Sequence, residues 1–210
     1  MTATARNTGT AGKNGGRSKK SGRRVPIWLK LILLSAMLLL AVVTAIALNR
    51  SVEKKTYRLV YPELIAQNAG ERQLDPYFVA AVIHVESAND PEALSYRGAL
   101  GLMQIMPDTG EWIAGKLGET FDAAALTEPE QNIRYGCWYL EFLFERFENS
   151  DTVAAAYNAG HNAVRRWLED PAYSSDGVTL KDIPYEETRN YVEKVKRAYE
   201  KYKDLYPKAF

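Results

Sequence analysis

The chain is poor in the residues that build metal centres and covalent cross-links. It has one cysteine, Cys137, and two histidines, His84 and His161, in 210 residues. A single cysteine excludes an intrachain disulfide and a cysteine-rich metal site. Two well-separated histidines make no zinc motif. No metal or cofactor is expected. Cys137 lies among apolar and aromatic residues in a helical pattern and reads as a small core residue. Alternating runs that would mark strands are missing, and the chain has no internal repeat. Acidic residues are absent from the first 48 positions, which hold eight Lys and Arg. The rest carries 19 Lys and Arg against all 26 Asp and Glu, a formal charge of −7. The basic part is thus a tail, not a nucleic-acid-binding domain, and the acidic remainder has no electrostatic reason to bind DNA or RNA. A neutral or zwitterionic polymer is the easier partner.

What is present starts with that tail. Residues 1–24 are Gly, Ser, Thr, Asn, Lys and Arg with almost no apolar content, so they are expected to be disordered. Residues 25–48 form the next segment. From Ile27 to Leu48 only Lys30 is charged, and about 20 apolar residues cross the hydrocarbon layer of a bilayer. Lys30 can snorkel to the headgroups. Arg6, Lys13, Arg17, Lys19, Lys20, Arg23 and Arg24 precede the run, and Arg50, Lys54, Lys55 and Arg58 follow it. The bias, though modest, predicts a cytoplasmic N-terminus and a single-pass anchor in the cell membrane. Ala45-Ile46-Ala47 resembles a signal-peptide cleavage site, but the apolar run is long for a signal, which favours an uncleaved anchor. Either reading places the following domain outside the cytoplasm.

Residues 49–59 read as a juxtamembrane linker and 60–206 as one domain, mainly α. Helices are predicted over Tyr57–Ala69, from Asp75-Pro76 to Ser87, and over Asp108–Leu117 with Asp108 as cap. The second uses an N-cap acid followed by Pro at N1. Thr127-Glu128-Pro129-Glu130 reads as a capping box opening a long helix to Glu148. Short helices follow over Asp151–Asn158 and His161–Leu168, split by Gly160, and a last one runs from Glu186 to Tyr206. Residues 90–101 and 170–184 are loops.

Three segments carry chemistry. Val79, Ile83 and Glu86 fall on one apolar stripe, which turns the Glu86 carboxyl towards a core or cleft. Desolvation and the helix dipole both raise its pKa, as a general acid requires. In Gly98-Ala99-Leu100-Gly101-Leu102-Met103-Gln104-Ile105-Met106-Pro107, glycines permit close backbone approach. Gln104 offers donors and an acceptor within an apolar run, suited to sugar hydroxyls or acetamido groups. In Ala154-Ala155-Ala156-Tyr157-Asn158-Ala159-Gly160, alanines allow close helix packing before an aromatic and an amide.

These segments, with Glu86-Ser87 and Glu187-Thr188-Arg189-Asn190-Tyr191-Val192, resemble in order and spacing the catalytic domain of lytic transglycosylases of the soluble lytic murein type. The resemblance covers roughly residues 60–203. It implies a lysozyme-like helical fold with a groove for the GlcNAc–MurNAc strands of peptidoglycan, and hence a bacterial source. By position it implies Glu86 as catalytic acid/base and Ser95, Gln104, Met106, Tyr157, Asn158 and Tyr191 as substrate-binding residues. Ser87 is expected to orient, not to react. Asp90-Pro91 stands where the family usually has Asn-Pro, and both suit a turn.

With one motif carboxylate, the resemblance implies an intramolecular reaction that leaves 1,6-anhydroMurNAc ends. Two alternatives stay open. One is a hydrolytic muramidase, with Glu53, Glu63 or Asp90 as second carboxylate. The other is a non-catalytic glycan-binding scaffold protein. Tyr135, Trp138, Tyr139 and Phe142 recur at helical spacing and are expected to form the core face of their helix, not a sugar platform. His84 is expected to pack or lie at the surface.

Overall fold

The computed structural model describes residues 1–2 and 26–210. The expectation of disorder in residues 1–24 lies almost wholly outside the described residues. The chain divides into two units, Met1–Ile46 and Ala47–Phe210. Helix α1 (Ile27–Thr56) starts in the first and ends in the second. It buries none of its side chains and is long and apolar enough to cross a membrane. Its 30 residues give about 45 Å of helix, against a hydrocarbon layer of about 30 Å.

Residues 49–56, read as linker, prolong α1 instead. The physical reason is long-range pairing within the second unit. Lys201 Nζ donates to Glu53 Oε1 at 2.6 Å, and Arg50 pairs with Asp204 at 3.4 Å.

Seven further helices complete the second unit: α2 (Pro62–Glu71), α3 (Pro76–Ser87), α4 (Pro107–Leu117), α5 (Pro129–Phe144), α6 (Ser150–Ala159), α7 (His161–Glu169) and α8 (Glu186–Leu205). A 3-10 turn spans Ala123–Thr127. Four of these helices, α2, α3, α4 and α5, open with Pro at the first turn, where the missing N–H costs nothing. Asp75 caps α3 by accepting from the Tyr77 amide at 2.8 Å. Among the described residues no strand forms; the loops hold only isolated bridges such as Leu94–Leu100 and Leu100–Ile105.

Several predicted boundaries move. α2 starts at Pro62 because Tyr61 before it is left-handed, at φ 58°. α4 is capped by Met106, with Asp108 inside its first turn. Thr127 makes no capping box: its hydroxyl donates to the Ala124 carbonyl and closes the 3-10 turn. α5 stops at Phe144, and Phe147 folds back into the core.

α3 runs through the middle, with Phe78 to Ile83 all buried. It packs mainly on α8 and α2. On α8 the stripe Thr188, Tyr191, Val192, Val195, Ala198, Tyr202 and Leu205 is buried, the spacing of one helix face. Ala154, Ala155 and Ala156 are buried in α6, which lies against α8 and α5. Cys137 is fully buried, and desolvation pushes its thiol up to about 12. The core face of α5 is not the aromatic stripe. It is Asn132, Ile133, Gly136, Cys137, Leu140 and Leu143, and of the four aromatics only Tyr135 is buried. Trp138, Tyr139 and Phe142 are half-buried, and Trp112 of α4 packs edge-on against Trp138 and Phe142 at 5.2 and 4.9 Å.

Asn132 links α5 to the loop before α4. Its Oδ1 accepts from the Met103 amide at 2.7 Å, and its Nδ2 donates to the Leu100 and Leu126 carbonyls at 2.9 and 2.7 Å. Gly101 is left-handed at φ 75°, and a side chain there would strike the Leu126 carbonyl and the Asn132 amide. Asn132→Ala strands three backbone groups. It is expected to cost about 2–4 kcal/mol and to lower the thermal midpoint by roughly 5–12 °C. Circular dichroism melting of the purified protein reads this, and an unchanged midpoint would show that the loop is held by other means.

Candidate active site

Glu86 lies in the last turn of α3, half-buried, where the helix ends at Ala88 in a left-handed cap with φ 54°. Tyr191, buried on α8, donates its hydroxyl to Glu86 Oε1 at 2.6 Å. Desolvation raises the Glu86 carboxyl to about 7, and the Tyr191 hydrogen bond opposes part of that rise. No other carboxylate is close enough to contribute. Glu53 is engaged with Lys201, and Asp90 accepts from the Glu92 amide in its own turn. A carboxyl near 7 is populated in both forms at neutral pH, so it can give a proton and take one back.

The loop Ala93–Met106 lies beside the end of α3. Ser87 ties α3 to it by donating to the Leu102 carbonyl at 2.8 Å. Tyr157, from α6, donates to the Met103 carbonyl at 2.8 Å. The Tyr157 phenol is raised well above its ordinary value, by burial first and then by the charge of Glu86, which sets it beside the carboxyl. Tyr191 is raised for the same two reasons, in the same order. The two phenols therefore stay protonated and act as donors.

Gln104 holds a strained left-handed conformation, φ 47°. Its amide nitrogen donates to the Ala93 and Gly101 carbonyls at 3.0 and 2.9 Å. Both amide hydrogens thus hold the loop, and the side-chain oxygen is what Gln104 can offer a ligand. Ser95 Oγ accepts from the Ala99 amide at 2.9 Å, which leaves its hydroxyl hydrogen to donate. Met106 is 39% exposed, and Leu94 and Tyr96 on the same loop are 68% and 88% exposed. Asn158 stands back from Glu86: its Oδ1 accepts from the buried Thr188 hydroxyl at 2.8 Å, joining α6 to α8.

The structure thus brings Glu86, Tyr191, Tyr157 and the Gln104 loop together. Asn158 supports that group from behind, and Ser95 and Met106 lie on the loop. Sequence reasoning missed Asn132 and Thr188. Asn132 left a signal, a polar residue one turn into an otherwise apolar helix face. Thr188 sat inside a quoted motif without a role. Among the described residues no group of His, Cys, Asp and Glu is arranged to hold a metal.

Several known proteins are similar to this chain. The chain is 36% identical over 153 residues to the soluble lytic murein transglycosylase of Salmonella typhimurium, covering 71% of this chain and 24% of that protein. It is 33% identical over 165 residues to the membrane-bound lytic murein transglycosylase C of Actinobacillus pleuropneumoniae, covering 68% of this chain and 45% of that one. Among solved structures, the 70 kDa soluble lytic transglycosylase of Escherichia coli matches with a TM-score of 0.66 at 31% identity, over 73% of this chain and 25% of that chain. The lytic transglycosylase Slt of Pseudomonas aeruginosa matches with a TM-score of 0.65 at 32% identity, over 72% of this chain and 25% of that chain. The chain therefore spans about a quarter of the length of its soluble relatives. These matches carry the fold: a lysozyme-like helical domain. Residues 63–177 match the Transglycosylase SLT domain, and the chain belongs to that family.

Proposed function

We propose that this protein is a peptidoglycan lytic transglycosylase with Glu86 as its single acid/base. The observation that carries the reading is Glu86 itself: a desolvated carboxyl raised to about 7, partnered by the Tyr191 hydroxyl and by no second carboxylate. An inverting or retaining hydrolase of the usual kind needs that second group.

In the proposed reaction, protonated Glu86 gives its proton to the glycosidic oxygen between MurNAc and GlcNAc. Charge developing at MurNAc C1 is met by the substrate's own 2-acetamido oxygen. Glu86, now ionised and held by Tyr191, takes the proton from the MurNAc C6 hydroxyl as that oxygen attacks C1. The strand ends in 1,6-anhydroMurNAc, and water is not consumed. Tyr157 and the Gln104 side-chain oxygen orient the reacting sugar, Ser95 donates to its substituents, and Met106 gives it an apolar face. Asn158 acts as a positioning residue through Thr188. The apolar part of α1 anchors the protein in the cell membrane, with the N-terminus in the cytoplasm and residues 57–210 outside, among the glycan strands. The positive-inside bias of the first 24 residues supports that orientation.

Product analysis tests the chemistry. Mass spectrometry of digested sacculi should show anhydro ends, one water lighter than the reducing ends a muramidase would leave. Glu86→Gln should lower turnover at least 10³-fold, on the order of the larger general acid–base effects. It should also stabilise the fold at high pH. A carboxyl raised on folding keeps its proton when the unfolded chain has lost it, so its ionisation costs stability as pH rises from about 4.5 to about 7. At pH 8 the Gln variant should be about 1–3 kcal/mol more stable than the parent, and at pH 4 equal to it. Denaturant titrations at the two pH values read this, and a variant less stable at pH 8 would contradict the burial argument.

Tyr191→Phe removes the hydrogen bond that lowers the Glu86 pKa. The alkaline limb of kcat/KM, where the acid is lost, should move up by about 1 pH unit, with turnover down roughly 10- to 100-fold. A limb that stays in place or moves down would show that Tyr191 does not act on Glu86.

A further inference from the structure

A hollow of about 200 Å3 opens beside α3, with a lining of Tyr57, His84, Val85, Lys194 and Arg197. It does not belong to the Glu86 site. His84 and Glu86 are two residues apart on a helix, a turn of about 200° around its axis. The lining carries two cations and no carboxylate. Lys194 and Arg197, neighbours on one face of α8, are exposed and make no ion pair among the described residues. His84 forms the inner wall between the rings of Tyr57 and Tyr202, with centroids 4.7 and 6.0 Å away. Its Nδ1 is buried and has no hydrogen-bond partner, which is costly for a polar atom.

Two cations without ion pairs at the mouth of a small hollow, with an imidazole as its inner wall, favour an anion. The guanidinium fork of Arg197 suits a tetrahedral oxyanion, and Lys194 adds a second positive charge. The chemistry and size match a phosphate. The location narrows the source. Tyr57 directly follows α1 and lies nine positions beyond Leu48, the last residue of the apolar run. Lys54, Lys55 and Arg58 flank it in sequence, and basic residues next to an apolar span attract anionic headgroups.

We propose that the hollow between α3 and α8 binds a phosphate group, supplied by a phospholipid headgroup or by a soluble phosphate.

Histidine NMR tests this on the full chain, because His84 and His161 are the only two imidazoles. Burial holds His84 below its ordinary value. The groups facing it are Tyr57, Tyr202, Lys194 and Arg197, with Glu86 on its own helix. A bound phosphate would favour the imidazolium, so the His84 titration midpoint should rise by about 1 pH unit while His161 stays put. The protein is placed in nanodiscs of phosphatidylcholine and titrated with inorganic phosphate, and separately placed in nanodiscs containing phosphatidylglycerol without added phosphate. A response in the second arm identifies the headgroup as the source; a response in the first arm alone identifies soluble phosphate. Lys194→Ala with Arg197→Ala should abolish either response. Lys196→Ala with Lys203→Ala, on other faces of α8, should keep it and serves as the control for folding. No movement of His84 in either arm, or equal movement in both double variants, would overturn the proposal.

Discussion

The candidate active site rests on one conflict: a carboxyl group held away from water. Leaving Glu86 half-buried at the end of an apolar helix costs free energy whenever the group is ionised, and that cost falls at the position where the proposed reaction moves a proton. Everything around the site limits the conflict without removing it. The Tyr191 hydroxyl gives the anion one strong donor, which keeps it reachable. The other phenol beside it, Tyr157, is raised well above its ordinary value by burial and stays protonated. A second donor or a nearby cation would drop the pKa and lose the acid; no donor at all would leave it unable to act as base.

That balance depends on elements far apart in the chain meeting within a hydrogen-bond length. α3 brings Glu86, α8 brings Tyr191, and α6 brings Tyr157, while Ser87 and Asn132 fix the loop they face. Most of these ties end on backbone carbonyls and amides. The loop 93–106 is accordingly held largely by its main chain, which leaves the Met106 side chain exposed. Ser95 and Gln104 add side-chain restraints of their own, and the left-handed backbone of Gln104 is strained for a non-glycine residue.

Much of this was legible in the sequence where the cause is local. α3 could be read to the residue because an acid, a proline and an apolar period all lie within it. Glu86 could be suspected from periodicity, and its environment follows from the stripe it interrupts. What escaped depends on distant partners. The charged stretch from Arg50 to Lys55 looks like a linker until Lys201 and Asp204 come alongside. The core face of α5 was misjudged because its buried residues include Asn132, Gly136 and Cys137, which do not stand out as apolar, while the more conspicuous Trp138 and Phe142 sit half-exposed. The role of Gln104 was misread in part because an amide can hold its own loop as readily as a ligand.

Cys137 bears on how the protein is made. Folded, its thiol is sealed in α5 and its pKa of about 12 keeps thiolate scarce, so an oxidising environment finds nothing to attack. Before folding, the same thiol is open and has no intrachain partner. In such an environment a disulfide on Cys137 would join it to another molecule, and the bulk of that partner would not fit the closed core. Burial of this one sulfur thus protects it only once the core around α5 has formed.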